Sequence, residues 1–496
     1  MRRAERTPGR LAYAAGERRV AYGELAPSAA ALAGRLLDAG ADGRSPIALW
    51  APNGEAFIVG LAAILHLGAA VVPLNTRLTD DEAAWQLADA RPSVLCAAAP
   101  LLERGRALAA ASGCAFVALD AATLAPAAGG PAAALVEPAA TAAVVYTSGT
   151  SGKPKGALLS HANLWHSAMA QAQTLGALPD DRWLACLPLF HVSGLAMLTR
   201  AWLFGQAVVV HERFDAERIA QAVESERITC VSLVPTALAR LCEVRAGRPL
   251  GPSLRLVLLG GGPAPAALLR QSLALGLPVA VTYGLTETAS QAATLAPAEL
   301  ESHLGSVGKP LMPLELRIER QDGGAAAPGE VGEIVVRGPT VARGYLGRPD
   351  TDAATLKDGW LHTGDVGHLD GDGYLYVADR RDDLIVSGGE NVYPAEVEAV
   401  LAEHPQVAEA AVVGLPDPVW GQAVAAAVVP RPGPAPTLEA LRAHCAPRLA
   451  GYKLPRRLRL VPELPRTASG KLRRAAVRAD WAADGGRTET GGGGDG

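Results

Sequence analysis

Short apolar runs rich in Val, Ile and Leu recur between alanine-rich stretches up to about residue 310. Their apolar positions are continuous and do not alternate with polar ones, which is typical of strands buried on both faces by helices. The pattern predicts an α/β fold class, with a large N-terminal domain of parallel sheets covered by helices. The runs are Pro46–Trp50, Ala69–Val72, Val94–Ala97, Ala207–Val210, Cys230–Leu233 and Leu256–Leu259.

The pattern changes after about residue 310, where strand-like segments are separated by Gly/Asp turns. Leu314–Arg320, Gly332–Arg337 and Gly373–Val377 predict a β-rich subdomain of the same large domain. We therefore expect one large domain over residues 1–382.

Beyond Asp383, strands and helices alternate in a way that predicts a small α+β domain at residues 383–481. Residues 482–496 are almost wholly Gly, Asp, Thr and Ala and predict a disordered tail. The predicted elements of the small domain are the strand Leu384–Val386, the helix Pro394–Glu403, the strands Glu409–Val413 and Ala423–Val429, and the helix Thr437–His444.

One segment carries the strongest chemical signal. Residues 146–156 read Tyr-Thr-Ser-Gly-Thr-Ser-Gly-Lys-Pro-Lys-Gly and directly follow the apolar run Ala142–Val145. Glycine and serine positions let backbone N–H groups turn toward an anion, while hydroxyls and two lysines add donors and positive charge. The segment predicts a strand that ends in a phosphate-binding loop, with a polyphosphate as ligand.

This loop differs from a Walker A sequence, which needs a Ser or Thr directly after its Lys and a longer gap between its glycines. Here Pro154 follows Lys153, and Gly149 and Gly152 are too close together. An ordinary P-loop kinase or GTPase is therefore disfavoured. A flexible Ser/Gly linker is the other interpretation, but such linkers seldom follow a strand directly and carry two lysines.

The composition and charge of the chain limit the kinds of molecule that it is expected to bind. The chain has 496 residues, of which 49% are hydrophobic and 19% charged, as expected for a globular protein with a large core. Its formal charge of −4 gives no electrostatic reason to expect nucleic acid or an anionic membrane as the main partner. The six cysteines are scattered without a C-x-x-C pair, which predicts reduced, structural thiols.

The sequence also argues against export and membrane insertion. Polar residues follow the basic N-terminus where a secretory peptide would need its apolar core, so a cytoplasmic protein is expected. The long apolar stretch Phe57–Leu74 contains Gly68 and Pro73 and divides into a buried helix and a strand. The oligomeric state is left open, with a homo-oligomer among the options.

Further segments follow the phosphate loop in a particular order. In this order the chain resembles the acyl-adenylate-forming superfamily, which includes acyl-CoA synthetases, firefly luciferase and peptide-synthetase adenylation domains. The resemblance covers essentially the whole length except the glycine-rich tail. The segments are Leu187–Gly194 (LPLFHVSG), Leu259–Pro263 (LGGGP), Thr282–Thr288 (TYGLTET), Gly359–Asp365 (GWLHTGD) and Leu464–Lys471 (LPRTASGK).

The resemblance implies a two-step reaction that uses ATP, Mg²⁺ and coenzyme A. A carboxylate is a poor acyl donor, so such enzymes first join it to AMP and then let a thiol displace the AMP. Charge develops on the α-phosphate in the first step, which explains the cations, hydroxyls and metal around that phosphorus.

The resemblance also implies roles for single residues. Lys471 would be the catalytic lysine that bridges the acyl carboxylate and the α-phosphate, and Glu287 would help to hold the metal. His191 would close the acyl site, although a buried structural histidine is an equal alternative. The ATP- and AMP-binding residues would be Thr147, Ser148, Gly149, Thr150, Ser151, Gly152, Lys153, Gly260, Gly261, Gly262, Tyr283, Gly284, Thr286, Asp365 and Arg380.

The resemblance implies roles for three residues in the region that leads to the junction of the domains. Asp365 would accept hydrogen bonds from the ribose hydroxyls, with Arg380 as the assisting cation. Asp382 would be the hinge at which the mobile C-terminal domain turns between the two half-reactions. The chain departs from the family at Asp379, where a Gly is usual.

Within the superfamily, the chain most resembles the o-succinylbenzoyl-CoA synthetases of menaquinone biosynthesis. The resemblance rests on Pro73–Leu78, Trp183–His191, Gly260–Pro265 and Tyr283–Gln291. It implies a small aryl dicarboxylic acid as substrate, bound by His191, Ser193 and Arg200, with Arg200 near the carboxylate that is not activated. The alternative for Arg200 is a surface position at a helix end.

Two other functions remain open from the sequence. A medium-chain fatty or aryl acyl-CoA synthetase would carry similar motifs. A catalytically silent or carrier-loading adenylation module is disfavoured, because Lys471 is present and no carrier-domain Ser motif or condensation segment is found.

Overall fold

The structure is a computed structural model that describes residues 2–126, 129–147, 154–245, 251–262, 264–320, 322–379, 384–465, 472, 474–483 and 489–490. The chain packs into two units. The first comprises residues 1–76, 86–146 and 156–378, and the second comprises residues 77–85, 147–155 and 379–496.

Helices occur throughout the described residues. They are α1 (Arg2–Arg6), α2 (Tyr22–Asp38), α3 (Glu55–His66), α4 (Asp80–Ala90), α5 (Leu102–Ser112), α6 (Ala121–Leu124), α7 (His161–Leu175), α8 (Val192–Phe204), α9 (Ala216–Ser225), α10 (Pro235–Arg245), α11 (Ala266–Ala274), α12 (Pro349–Thr355), α13 (Pro394–Ala402), α14 (Leu438–Cys445) and α15 (Arg474–Ala483).

The strands alternate with these helices in the first half of the chain. They are β1 (Leu11–Ala15), β2 (Arg18–Ala21), β3 (Ile47–Trp50), β4 (Val71–Pro73), β5 (Val94–Ala97), β6 (Ala115–Ala118), β7 (Thr141–Thr147), β8 (Lys155–Ser160), β9 (Arg182–Ala185), β10 (Ala207–Val210), β11 (Cys230–Leu233), β12 (Leu256–Leu259), β13 (Val279–Tyr283), β14 (Ala293–Leu295), β15 (Lys309–Pro310), β16 (Glu315–Glu319), β17 (Gly332–Arg337), β18 (Leu356–Lys357), β19 (Trp360–Leu369), β20 (Leu375–Asp379), β21 (Ile385–Ser387), β22 (Glu390–Val392), β23 (Val407–Asp417), β24 (Gly421–Pro430), β25 (Arg457–Leu460) and β26 (Glu489–Thr490).

The largest sheet has nine strands in the order β15-β14-β13-β12-β11-β9-β10-β1-β2. Its centre, from β13 to β1, is parallel, and antiparallel strands close both edges. Successive side chains of a strand point to opposite faces, so Trp183 and Leu184 of β9 enter different hydrophobic cores. Both faces are thus buried, which explains the continuous apolar runs.

A second sheet has the order β6-β5-β3-β4-β7-β8, and the described pairs from β6 to β7 are parallel. One core joins it to the large sheet through helices that include α2, α3 and α8. Leu32, Phe57 and Leu198 are fully buried examples from these three helices. The first unit therefore has helices packed between two mostly parallel sheets.

The rest of the first unit is β-rich, as β16, β17, β18, β19 and β20 form an antiparallel sheet. In the second unit, β21 to β26 form a sheet against which α13 and α14 pack. The order of sheets and helices confirms the predicted fold class. Among the described residues, no helix is both long and apolar enough to cross a bilayer.

The predicted strands differ from the observed ones mainly at their ends. The run at Ala69–Val72 forms a strand two residues later, at Val71–Pro73, because Gly68 (φ +74°) turns the chain after α3. The ten-residue strand β19 was not predicted, since glycines and polar residues interrupt its apolar pattern. Within the predicted tail, the structure describes the end of α15 and the short strand β26.

An ion pair with a buried carboxylate joins central strands of the large sheet at their amino ends. Arg255 binds Asp181 through Nε to Oδ1 at 2.7 Å and Nη2 to Oδ2 at 2.5 Å. Thr229 and Gln206 donate two further hydrogen bonds to the same carboxylate, at 2.9 and 3.0 Å. Desolvation alone would raise the pKa of Asp181, but hydrogen bonds from Arg255, the Leu178 N–H and Thr229 outweigh it and lower the pKa below its ordinary value.

This pKa shift predicts acid destabilisation. A carboxyl group with a lowered folded-state pKa contributes stability above its unfolded pKa of about 3.9, and that contribution is lost as the pH falls through the folded-state pKa. We expect the urea midpoint of wild type to fall between pH 6 and pH 3, and Asp181→Asn to be less stable at pH 6 but to change less with pH. An equal pH dependence in both proteins would contradict this role of Asp181.

Candidate active site

The predicted phosphate loop connects β7 to β8. Thr147 ends β7 and Lys155 begins β8, and the Thr147 hydroxyl donates to the Lys155 carbonyl at 3.4 Å. The two ends of the predicted loop are therefore in contact. The predicted phosphate ligands Ser148, Gly149, Thr150, Ser151, Gly152 and Lys153 lie outside the described residues.

Tyr146, the residue before Thr147, is held in place by hydrogen bonding to an ion pair in the first unit. The Tyr146 hydroxyl donates to Asp89 Oδ2 at 2.8 Å, and Arg348 pairs with Asp89 Oδ1 at 2.6 Å. Burial and the Asp89 carboxylate raise the pKa of Tyr146, so the phenol stays protonated and keeps donating. The strand that leads into the loop thus has a defined end position.

A second cluster joins the large sheet to the β-rich subdomain. The hydroxyl of Tyr283, the last residue of β13, donates to Asp365 Oδ2 on β19 at 2.7 Å. Asp365 is buried, with 6% of its surface exposed, and its backbone N–H bonds the Thr363 hydroxyl. The structure therefore brings together two predicted nucleotide-binding residues that are 82 positions apart. Arg380 lies outside the described residues.

Glu287 lies in a single 3₁₀ turn, Thr286–Thr288, just after this tyrosine. Its Oε1 accepts a hydrogen bond from the Tyr345 hydroxyl at 2.7 Å, and its backbone carbonyl accepts one from Ala342 at 2.7 Å. The carboxylate is half-buried and held in one orientation.

Glu287 is a suitable partner for Mg²⁺. This ion is usually bound through one or two carboxylates together with substrate phosphates, and not by a cage of protein ligands. The described part of the chain contains no group of three or more His, Cys, Asp or Glu arranged to hold a metal. A single oriented carboxylate is compatible with this mode of binding.

Glycines allow close backbone approaches beside these residues. Gly261, in the predicted Gly260–Gly262 segment, has φ +78°, in the left-handed region that favours glycine. A Cβ on Gly284 would lie 1.9 Å from the Ser290 carbonyl oxygen, so only glycine fits where the chain returns from the 3₁₀ turn. Both glycines follow carboxyl ends of parallel strands, where α/β sheets place their ligand crevices.

His191 and Ser193 lie at the start of α8, after the carboxyl end of β9. The His191 ring is 4.6 Å from the ring of Phe190, and both His191 and Ser193 are half-buried. Ser193 lines a cavity of about 10 Å³ together with Met197 of α8, Ser232 of β11 and residues of β9. That volume holds about one water molecule.

Arg200 is buried one turn beyond Met197 on α8. Only 3% of its surface is exposed, so it does not occupy a surface position at a helix end. Its Nε and Nη1 have no hydrogen-bond partner among the described residues. Burial lowers the pKa of this guanidinium to about 10, which still leaves it positively charged at neutral pH.

An aromatic ring supports the guanidinium. Arg200 Cζ lies 5.1 Å from the ring centre of Trp183, within the range of a cation–π contact. Trp183 Nε1 donates to Gln206 Oε1 at 3.2 Å, and Gln206 in turn donates to Asp181. The ion pair in the sheet thus fixes the ring under Arg200.

Sequence reasoning did not single out Tyr345, Gln206 or Trp183 as individual functional residues. Tyr345 acts through one hydrogen bond to Glu287, 58 positions away, which no local pattern indicates. Trp183 was noted only as the first residue of Trp183–His191, a run that supports the family resemblance. Gln206 lies next to a strand without any motif. Their contacts depend on tertiary structure alone.

Comparison with known proteins identifies the family. The AMP-binding enzyme pattern matches residues 1–346, and the C-terminal domain pattern of the same enzymes matches residues 396–471. The chain therefore belongs to the family of AMP-binding enzymes, and the resemblance stated from its motifs is confirmed.

Individual relatives cover almost the whole chain. It is 43% identical over 478 residues to a 2-succinylbenzoate–CoA ligase of Geobacillus sp. strain WCH70, covering 96% of each protein. A solved structure of o-succinylbenzoate CoA synthetase from Bacillus subtilis, a double mutant bound to a product analogue, matches with a TM-score of 0.91 and 40% identity, covering 97% of this chain and 98% of that one. Another structure of that synthetase, in complex with ATP and a magnesium ion, matches with a TM-score of 0.71 and 39% identity over 95% and 97% of the two chains.

The two arginines of this region should respond to substitution in opposite ways. Arg200→Met removes a buried charge without a carboxylate partner, so we expect a melting temperature equal to or above that of wild type. Arg255→Met strands the buried Asp181 carboxylate and should cost about 3–5 kcal/mol of unfolding free energy. Thermal and urea unfolding measure both effects. A loss for Arg200→Met as large as for Arg255→Met would show that Arg200 is paired in the free protein.

Proposed function

We propose that the protein is an ATP-dependent acid–CoA ligase that forms an acyl-AMP and then an acyl-CoA thioester, with release of pyrophosphate and AMP. Its acid is 2-succinylbenzoate, and it acts in the cytoplasm in menaquinone biosynthesis. The family, the relatives named above and one structural observation support this proposal. That observation is the buried guanidinium of Arg200, which needs an anionic partner in the region where the acyl site is expected.

The family motifs, together with the contacts of Asp365, suggest how the nucleotide is bound. Asp365, oriented by Tyr283, accepts hydrogen bonds from the ribose hydroxyls, and Arg380 assists it. The backbone of Gly260–Gly262 and Gly284 lies against the adenine and the acyl group, where a side chain would obstruct them. The phosphates are held by Thr147, Ser148, Gly149, Thr150, Ser151, Gly152, Lys153 and Thr286.

Activation of the acid requires charge to be neutralised at the α-phosphate. Mg²⁺ bound beside Glu287 supplies part of that positive charge. Tyr345 keeps the Glu287 carboxylate aimed in one direction, which reduces the reorganisation needed when ATP binds. Lys471 bridges the acyl carboxylate and the α-phosphate, and His191 closes the acyl site.

The choice of acid follows from the charge at Arg200. A fatty acid has one carboxylate, which is consumed in the mixed anhydride, so its chain would leave a buried cation without a partner. An aryl dicarboxylic acid keeps its second carboxylate, which can pair with Arg200. A hydrogen-bonded ion pair of this kind gives selectivity that apolar contacts alone do not. The arginine thus favours 2-succinylbenzoate over a medium-chain fatty acid.

Thioester formation needs a different environment from adenylation, because CoA must reach the acyl-AMP after pyrophosphate has left. We propose that the domains are residues 1–382 and 383–481, and that Asp382 is the hinge between them. Movement at this hinge would exchange Lys471 for the surface that binds CoA.

ATP–pyrophosphate exchange with a panel of acids tests the proposal. Exchange should be fastest with 2-succinylbenzoate and slower with benzoate and octanoate. CoA-dependent release of AMP should then follow only for acids that are activated. Absence of exchange with every acid would identify a silent module, and faster exchange with octanoate would identify a fatty acyl-CoA synthetase.

Arg200→Ala should change the choice of acid. Removal of one partner of a buried, hydrogen-bonded ion pair costs about 2–5 kcal/mol. We therefore expect kcat/KM for 2-succinylbenzoate to fall by roughly 30- to several-thousand-fold, while monocarboxylic acids lose little. Steady-state kinetics with both kinds of acid measure the ratio. An equal loss for all acids would mean that Arg200 supports the fold and not the specificity.

Lys471→Ala should separate the two half-reactions. The lysine contacts charge that develops only during adenylation, so acyl-AMP formation should be abolished. Thioester formation from supplied acyl-AMP and CoA should be largely retained. The two steps are followed separately by pyrophosphate release and by thioester absorbance. Equal loss of both would refute the proposed role.

A further inference from the structure

A second buried polar side chain faces the core that contains Arg200. Gln171 of α7 is 1% exposed, and neither Nε2 nor Oε1 of its amide has a hydrogen-bond partner among the described residues. A buried amide without partners costs free energy, because the hydrogen bonds it makes to water in the unfolded chain are not replaced. Packing alone does not explain why an unpaired amide occupies this buried position.

Helix periodicity shows the direction in which Gln171 faces. Leu164, Gln171 and Leu175 are seven and four residues apart, so they lie on one face of α7. Leu164 and Leu175 both pack into the core that contains Trp183 and the α8 residues Met197, Leu198 and Ala201. Gln171 therefore lies between two leucines that face this core.

The same face of α7 is fixed against the loop that follows Glu287. Ser167, one turn before Gln171, donates its hydroxyl to the Ala289 carbonyl at 2.7 Å, and both residues are buried. Ala289 and Ser290 have positive φ values of 52° and 101°, which non-glycine residues adopt at a cost. The loop is thus held in a strained conformation beside this face of the helix.

Arg200 and Gln171 are complementary in chemistry but do not bond to each other. The Nε and Nη1 of Arg200 and both amide atoms of Gln171 lack partners among the described residues. A carboxylate offers about four acceptor sites, more than one guanidinium edge satisfies, so a neutral amide donor on α7, which packs against α8, has a clear use. Both residues lie on helices that pack on one face of the large sheet.

We propose that Gln171 is a specificity-determining residue that donates a hydrogen bond from Nε2 to the carboxylate of the substrate that is not activated, beside Arg200. This inference rests on the proposed function, because it takes a dicarboxylic acid as the ligand. Gln171 completes the polar end of an otherwise apolar acyl site. In the free protein its amide lacks a hydrogen-bond partner, which costs stability, and the amide is therefore available to bind the substrate carboxylate.

Gln171→Met tests the proposal, because methionine matches glutamine in length and shape but makes no amide hydrogen bond. Gln173→Met is the matched control, since Gln173 lies on the same helix but is exposed. The acids are 2-succinylbenzoate and two analogues, 3-benzoylpropanoate without the ring carboxylate and 2-butanoylbenzoate without the chain carboxylate. The wild-type enzyme shows which analogue it activates, and that analogue serves as the reference.

We expect Gln171→Met to lower kcat/KM for 2-succinylbenzoate by about 10- to 100-fold, as is typical of a lost hydrogen bond to a charged group. The reference analogue should change by less than about threefold, and Gln173→Met should leave both values unchanged. The melting temperature of free Gln171→Met should equal or exceed that of wild type. Calorimetry should give a matching 10- to 100-fold rise in Kd for 2-succinylbenzoate, which covers the case in which neither analogue is activated.

Two results would overturn the inference. One is an unchanged ratio of 2-succinylbenzoate to reference analogue, or an unchanged Kd, in Gln171→Met. The other is a lower melting temperature with equal losses for all acids, which would make Gln171 a packing residue. Failure of the proposed function is distinct from both, because it would appear in wild type as a preference for an acid other than 2-succinylbenzoate.

Discussion

The ion pair between Asp181 and Arg255 is the interaction on which the candidate acyl site depends. It lies at the start of β9 and β12. Thr229, at the start of β11, donates a further hydrogen bond to Asp181. Through Gln206 the ion pair orients the Trp183 indole, and the Trp183 ring in turn lies under Arg200. A charge pair in a largely apolar sheet thus determines the position of a cation on a neighbouring helix.

The same part of the structure contains one arginine with a carboxylate partner and one without. Arg255 satisfies a buried carboxylate, whereas Arg200 and Gln171 keep unpaired hydrogen-bonding atoms in a core of Leu, Ala and Trp side chains. Evolution toward stability alone would replace such groups with apolar ones. Their presence is explained if the ligand supplies the missing partners, so that binding free energy is gained only with an acid of the right charge pattern.

The sequence indicated much of this architecture because the relevant signals are local. Continuous apolar runs predicted the buried parallel strands, and the alternation of strands with helices predicted the order of the units. The motif at Tyr283–Glu287 and the one at Asp365 were recognisable by residue type and order. Local patterns could not show that Tyr283 bonds Asp365 or that Tyr345 holds Glu287, because these contacts join positions 82 and 58 residues apart. The sequence also could not show that the Gln171 amide is unpaired, since that depends on which hydrogen-bonding groups the surrounding helices and strands place near it.

The central claim, that Arg200 pairs with the second carboxylate of the substrate, is tested most directly by NMR on protein labelled with ¹⁵N at arginine Nε. The Arg200 signal is assigned by its absence in Arg200→Met. On addition of 2-succinylbenzoate and a nonhydrolysable ATP analogue, the account predicts a large shift of this resonance and slower exchange of its proton with water. Octanoate should leave the resonance in place. An Arg200 resonance that responds equally to both acids, or to neither, would contradict the account.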